Sequence, residues 1–303
     1  MALRSNFGDV LEPGFRKIFN DRYNEIPEQF SKLFRINSSS KYQEKDSAVS
    51  GFGMLTQTGE NDPITYEDPV QMYDVSYTHL KYTKGFRISE ELYEDDLYNV
   101  MNKKPAALGR AARRTNEYYA AAIFNNAFSS GTGGDGKYLI STLHPRADGG
   151  TAQSNGSSTG IVLNEENLNT GILALEGQLD DKGQKIMAEA KTLLVGRALR
   201  KTAHEILKSE KRSETGDNDM NYYSEMGIKV LSWHYLTSST AWFLIDDSLH
   251  ELNWFWRVRP EFKQDNSFDT GAALYKTRER FSRGWSDWRG VWASKGDGVA
   301  YAS

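Results

Sequence analysis

Apolar residues recur at three- and four-residue intervals between positions 13 and 35, through Phe15, Ile18, Phe19, Tyr23, Ile26, Phe30, Leu33 and Phe34. That spacing predicts an amphipathic helix, which Pro27 should kink or split in two. Two readings of its apolar face stay open. The helix packs on its own domain, or it is an arm laid into a groove of a neighbouring subunit. From 38 to 90 the pattern changes. Gly51, Gly53 and Gly59 punctuate a polar, β-prone stretch, and Asn61-Asp62-Pro63 signals a turn. A second strand is expected over Met72–Ser89. Tyr73, Val75 and Tyr77 alternate on one face before Leu80 and Tyr82 appear on the other, a phase flip that reads as a bulge or sharp twist. This long hairpin has few aliphatic residues with which to build a core. Isolated hairpins are marginal in water and their edges invite pairing, so a second copy of the chain is the expected cover.

Helical periodicity returns after residue 90. Leu108, Ala111, Ala112, Thr115, Tyr119, Ala122, Ile123 and Ala127 trace one face of a long helix, about 35 Å at 1.5 Å per residue, with Pro105 near its start. Arg110, Arg113, Arg114 and Glu117 on the other face read as a solvated or salt-bridged surface. A glycine-rich loop, 129–136, ends the helix, and a Ser/Gly/Thr linker follows at 149–160. Beyond it the pattern predicts a helix through Leu168, Ile172, Leu175 and Leu179, a buried strand Thr192–Val195, and a helix Ala198–Leu207. A turn-rich loop at 209–224, strands Ile228–Trp233 and Ala241–Ile245, and an aromatic β-like tail from Trp254 to Ala293 complete the chain. Helices and strands segregate irregularly, which predicts an α+β fold.

Composition narrows the function. With 303 residues, 38% hydrophobic and 12% aromatic, a substantial core is expected rather than disorder. A net charge of −4 argues against a protein built chiefly to grip phosphates. The absence of cysteine excludes disulfides, thiolate nucleophiles and cysteine zinc sites. The first ten residues show no signal-peptide pattern, and no stretch reaches the roughly 18 apolar residues of a membrane span.

Several motifs nearly match known chemistry and fail on a specific residue. Gly131–Tyr138 resembles a phosphate loop, but Tyr138 stands where a Ser or Thr must reach magnesium, and a helix precedes it where a strand is needed. His204-Glu205 is followed by Lys208 in place of the second histidine of a zinc-protease helix. Asp217, Asp219 and Asn221 begin like a calcium loop, but Tyr222 and Ile228 occupy its glycine and glutamate positions. The five histidines, His79, His144, His204, His234 and His250, are scattered and read as structural, and the cluster Glu90, Glu91, Glu94, Asp95 and Asp96 as a solvated face. Trp285, Trp288 and Trp292, beside Arg283 and Arg289, suit core or interface packing better than base stacking. No catalytic, cofactor or metal residue is nominated.

Taken in order, the segments resemble the major capsid proteins of tailed bacteriophages with the Hong Kong 97 fold, particularly the Mu-like branch. The resemblance is carried by Asp135-Gly-Lys-Tyr-Leu-Ile-Ser-Thr-Leu-His144-Pro145, by Phe86-Arg-Ile-Ser-Glu-Glu-Leu-Tyr-Glu-Asp95, and by Leu193–Leu199 running into Thr202–Leu207. Gly196 and Arg197 replace prolines common in the last segment. The resemblance implies an N-terminal arm at 1–46 and an extended β-hairpin loop at 47–89 that lies over a neighbour. It implies a peripheral domain from 90–160 and 252–303 with a spine helix near 97–128. The axial domain would span 161–251, its 209–224 loop pointing to the centre of a pentamer or hexamer. The implied product is an icosahedral shell around packaged double-stranded DNA, assembled in the host bacterial cytoplasm and residing in the virion. The DNA would be held by non-specific proximity, with no cofactor and no membrane involved.

The implied partners are further copies of the chain, a portal, a maturation protease, a separate scaffolding protein and, in some relatives, a cement protein. Assembly contacts are expected at Phe15, Phe19 and Phe30 of the arm and at Met54, Tyr66, Tyr73, Val75 and Tyr77 of the hairpin. Three rivals remain: an encapsulin-like compartment of the same fold, a soluble carboxylate-based hydrolase, and a nucleic-acid-binding module.

Overall fold

Pro27 acts where expected. The first helix, α1 (Phe7–Glu25), stops two residues short of it, and a 3-10 turn at Phe30–Lys32 resumes the apolar spacing, because the residue before a proline is disfavoured in the helical region. The structure is a computed structural model that describes residues 7–69, 71–89, 91–92, 95, 100–146, 149–209, 220–267 and 269–300. Glu90, Glu94 and Asp96 of the expected acidic cluster, most of the 209–224 loop, and Asp217 and Asp219 lie outside the described residues. Among the described residues the architecture is mixed α+β, with two four-stranded sheets and one two-stranded ribbon.

The chain divides into two units. The first comprises residues up to 44, then 77–120 and 253–283. Its sheet runs in the order β1 (Arg35–Ser38), β8 (Leu252–Asn266), β9 (Ala273–Trp285), β4 (Leu80–Ile88). β1 pairs parallel with β8, and β4 antiparallel with β9, Lys81 standing opposite Arg280. One face is covered by α1 and by the long helix α2 (Val100–Asn125). Phe15 and Phe19 pack with Phe262, Tyr275, Leu108 and Ala112. The helices approach closely at Gly109, where a Cβ would lie 2.4 Å from the Phe19 carbonyl oxygen. The arm's apolar face is therefore buried in its own unit: Phe15, Phe19 and Phe30 are 2%, 1% and 0% exposed. Of the two readings left open for this helix, the single chain shows the one in which it packs on its own domain. An amphipathic pattern says that a face must be dry, not which chain dries it.

The face of α2 expected to be solvated or salt-bridged carries salt bridges and is partly buried. Arg110 meets Glu25 at 3.3 Å, Arg113 pairs with Glu28, and the Glu117 carboxylate accepts the Gln29 N–H at 2.8 Å. The phase flip in the expected Met72–Ser89 strand is a change of sheet. β3 (Gln71–Thr78) pairs with β2 (Gln43–Val49), whereas β4 joins the four-stranded sheet. His79, between them, is buried with its ring nitrogens 3.0 Å from the hydroxyls of Ser39 and Ser282.

The second unit comprises 45–76, 121–252 and 284–303. Its sheet has the order β10 (Val291–Ser294), β7 (Trp242–Ile245), β5 (Thr192–Val195), β6 (Lys229–Ser232). β5, β7 and β10 are buried at every position. Helices α3 (Glu165–Glu176) and α4 (Arg200–Lys208) pack on this sheet through Leu168, Ile172, Leu175, Ala203 and Leu207. Asn164 caps α3 by accepting the Asn167 N–H at 2.7 Å. Residues 121–160 and 284–303 fall in this unit, where β10 pairs with β7 and the Ala293 N–H donates to the Asn155 carbonyl at 3.0 Å.

Candidate assembly surface

Between β2 and β3 the chain leaves regular structure from 50 to 69 and then returns. Its two limbs run side by side in opposite directions. The Gly53 N–H donates to Glu67 at 2.7 Å, the hydroxyls of Thr56 and Thr65 meet at 3.3 Å, and the tip closes where Gly59 N–H donates to Asp62 at 2.8 Å. Asn61 takes a φ of 69° in this turn, a conformation asparagine tolerates better than most residues. At the base, Lys182 Nζ holds Glu67 at 2.5 Å, and the Tyr73 hydroxyl lies 3.5 Å from the Pro145 carbonyl. Lys182 and the Gly53 N–H keep the Glu67 carboxyl below its usual range, so it is ionised at neutral pH.

The loop's apolar side chains find no core. Phe52 is 63% exposed, Met54 80%, Leu55 100%, Ile64 70% and Tyr66 89%. Large apolar residues concentrated on one protruding segment are uncommon on a surface that stays wet. Of the hairpin residues expected at contacts, Met54 and Tyr66 lie on this exposed stretch, and Tyr73 and Val75 are half-buried in β3. Tyr77 is 3% exposed and packs on Phe255 with ring centroids 5.0 Å apart. Phe52, Leu55 and Ile64 were not singled out, although large apolar residues set among Gly, Pro and acidic residues carried the signal.

The near-motifs resolve into packing. Gly131 and Gly136 adopt φ of 82° and 75° in a tight loop after α2, and Trp285 packs against Gly131 and Gly133. Asp135 and His144, the ends of the most distinctive sequence segment, meet at 2.6 Å. Asp135 also accepts the Lys137 N–H at 3.0 Å. His144 Nε2 lies 3.1 Å from Asn155 Oδ1, and its ring stacks on Trp288 at 4.3 Å. Trp292 packs on Trp242 at 5.1 Å. Among the described residues no group of three or more His, Asp or Glu converges on a metal-sized site, and no helix is long and apolar enough to cross a membrane.

The family model described as phage capsid protein matches residues 73–294. No curated protein matches the sequence. Among solved structures, the chain is similar to the capsid of the cyanophage P-SCSP1u, with a TM-score of 0.57 at 11% identity over 91% of this chain and 88% of that one. It is similar to the virus-like particle from Pyrococcus furiosus, with a TM-score of 0.56 at 7% identity over 93% and 98% of the two chains. The procapsid of bacteriophage JBD30 gives a TM-score of 0.52 at 16% identity over 94% and 74%. At such identities the likeness is one of fold, that of the Hong Kong 97-type capsid proteins.

Proposed function

This chain belongs to the phage capsid protein family, and from that premise we propose that it is the major head protein of a tailed phage. It builds pentamers and hexamers that close into an icosahedral shell around packaged double-stranded DNA. The observation that carries the reading is the 50–69 loop, whose side chains at Phe52, Met54, Leu55, Ile64 and Tyr66 are exposed in the single chain. Covering them at roughly 25 cal/mol per Å² rewards each contact modestly, and repetition around a closed symmetric shell makes dissociation slow.

In this reading the unit containing most of α2 is the peripheral domain and the unit containing 161–251 the axial domain. Assembly takes place in the bacterial cytoplasm with a scaffolding protein, a portal and a maturation protease, and the product resides in the virion. The role is structural, without turnover. The Asp135–Pro145 segment supports the Mu-like branch. A second reading, a compartment of the same fold without a genome, is supported by the likeness to the virus-like particle.

The test is expression of the full chain and of a variant in which 51–69 is replaced by a short Gly/Ser link. Closed shells are expected from the first, and soluble folded subunits from the second. Normal shells from the variant would remove the loop from the assembly mechanism. A wild-type chain that stays monomeric, alone and with its phage partners, would end the capsid reading. Nuclease-protected DNA in particles from infected cells separates the phage head from the compartment.

A further inference from the structure

His79 is the single residue between β3, which belongs to the two-stranded ribbon, and β4, which belongs to the four-stranded sheet. It is 3% exposed, and both of its ring nitrogens are engaged. Nε2 lies 3.0 Å from Ser39 Oγ, just past the end of β1, and Nδ1 lies 3.0 Å from Ser282 Oγ on β9. The Ser39 hydroxyl donates to Glu44 of β2 at 2.6 Å and accepts the Lys41 N–H at 3.1 Å. Lys41 Nζ holds the other Glu44 oxygen at 3.2 Å. The backbone N–H of His79 reaches the Tyr42 carbonyl at 3.5 Å. Glu44, Ser39, His79 and Ser282, from four separate stretches of the first unit, thus form one hydrogen-bonded relay.

The place of each proton follows from what the groups can offer. A serine hydroxyl has a single hydrogen, and a carboxylate only accepts. The Ser39 hydroxyl first, with Lys41, keeps Glu44 below the ordinary carboxylate range, so Glu44 is ionised at neutral pH and takes the Ser39 proton. The Ser39 oxygen then accepts from His79, which puts the imidazole proton on Nε2 and leaves Nδ1 bare for the Ser282 hydroxyl. Ser282 is 5% exposed and makes no other side-chain hydrogen bond among the described residues. A proton added at Nδ1 reverses that last bond. The ring then donates on both sides, and Ser282, turned about to accept, carries a buried hydrogen with no acceptor. The surroundings add to the cost. Burial above all, with Arg280 of β9 and Arg257 of β8, disfavours the imidazolium against the opposing pull of Glu44, and holds His79 below its ordinary 6.5. The folded chain therefore takes up this proton less readily than the unfolded one. The contribution of the relay is whole above pH 6.5 and lost as pH falls through the lower folded value.

We propose that this relay is an acid-released latch: it closes the joint between ribbon and sheet at neutral pH and opens it when His79 takes a second ring proton. The segment it governs is the root of the ribbon that carries the 50–69 loop. The latch closes within one chain, so it stands or falls independently of the shell-forming reading.

The experiment follows the soluble full-length chain by imidazole nitrogen NMR and by hydrogen exchange, at about pH 7.5 and about pH 5, on either side of an unperturbed histidine. The neutral ring should be the Nε2–H tautomer. Exchange, corrected for the intrinsic effect of pH, should quicken about tenfold or more at the acid pH in segments 39–44 and 77–82, the scale set by one buried group left without its bond. The long helix α2 and the sheet of the second unit should keep their protection. His79→Gln, which takes no proton, should exchange alike at both pH values. Glu44→Gln should move the His79 midpoint to lower pH and Arg280→Gln to higher pH. Those opposite shifts test the latch even where His79→Gln fails to fold, and a merely structural histidine would not couple them to exchange. Equal wild-type exchange at both pH values, an Nδ1–H tautomer, or exchange that ignores both charge variants would each overturn the latch. So would loss of protection throughout both sheets at the acid pH, which marks global unfolding and not a local release.

Discussion

Glu279 is a carboxylic acid kept where a carboxylate is poorly tolerated. Burial pushes it from 4.5 up to about 8, against the opposing pull of Asn116 and Arg113. The Asn116 amide donates to Glu279 at 3.2 Å and accepts from the Tyr23 hydroxyl at 3.1 Å, while burial raises Tyr23 to about 12. The folded chain therefore holds a proton on Glu279 between about pH 4.5 and 8 that the unfolded chain has released. The resulting stability is complete below that window and lost as pH rises through it. Glu279→Gln mimics the neutral acid, so the variant should match wild type near pH 5 and melt higher near pH 9. Equal pH profiles would show that the proton is not there. In the second unit, His144→Ala removes the stack on Trp288 and leaves Asp135, whose side chain is 8% exposed, with the Lys137 N–H but without its ring partner. A loss of about 3 kcal/mol in urea unfolding is expected, because an abandoned buried carboxylate costs more than the pair contributes. The sequence displayed Arg113, Glu117 and the segment from Asp135 to His144, but not the arrival of Glu279 from a distant strand. No local spacing encodes such a meeting.

At the scale of elements, the period of α1 and its end before Pro27 were legible, as were Thr192–Val195 and Trp242–Ile245 almost to the residue. Each is written in local pattern and turn chemistry. The partner of α1 was not, because it depends on the close approach at Gly109, where a Cβ would also stand 3.1 Å from the Tyr23 amide nitrogen. That obstacle is backbone and cannot swing aside. Gly109→Val should push α1 off α2, exposing Phe15 and Phe19 to proteases while leaving the sheet of the second unit intact. Protection of α1 equal to wild type would show that the helices separate without cost. The sheet change at His79 was visible only as a flip of phase, since alternation reports a reversal of facing and not the identity of the new neighbour. The exposed loop was legible as a ribbon lacking a core.

For the molecule as a whole, the two elements first expected to depend on neighbours part company. Phe15, Phe19 and Phe30 are already dry in the single chain, whereas Met54 and Tyr66 are wet. Hydrogen exchange separates the two states because it follows local opening. In the free subunit, α1 should exchange slowly and 51–69 within the fastest fraction, since the loop's described bonds are few and exposed. In assembled particles the loop should slow by several orders of magnitude, as closure adds both burial and main-chain bonds, while α1 changes little. The loop's gain is a linkage effect, because partner binding stabilises whatever it covers. Particle stability should therefore depend on subunit concentration through the loop and be insensitive to it through α1. A loop equally protected in subunit and particle would mean that its apolar residues are covered within one chain, and the reason for assembly would have to be sought elsewhere.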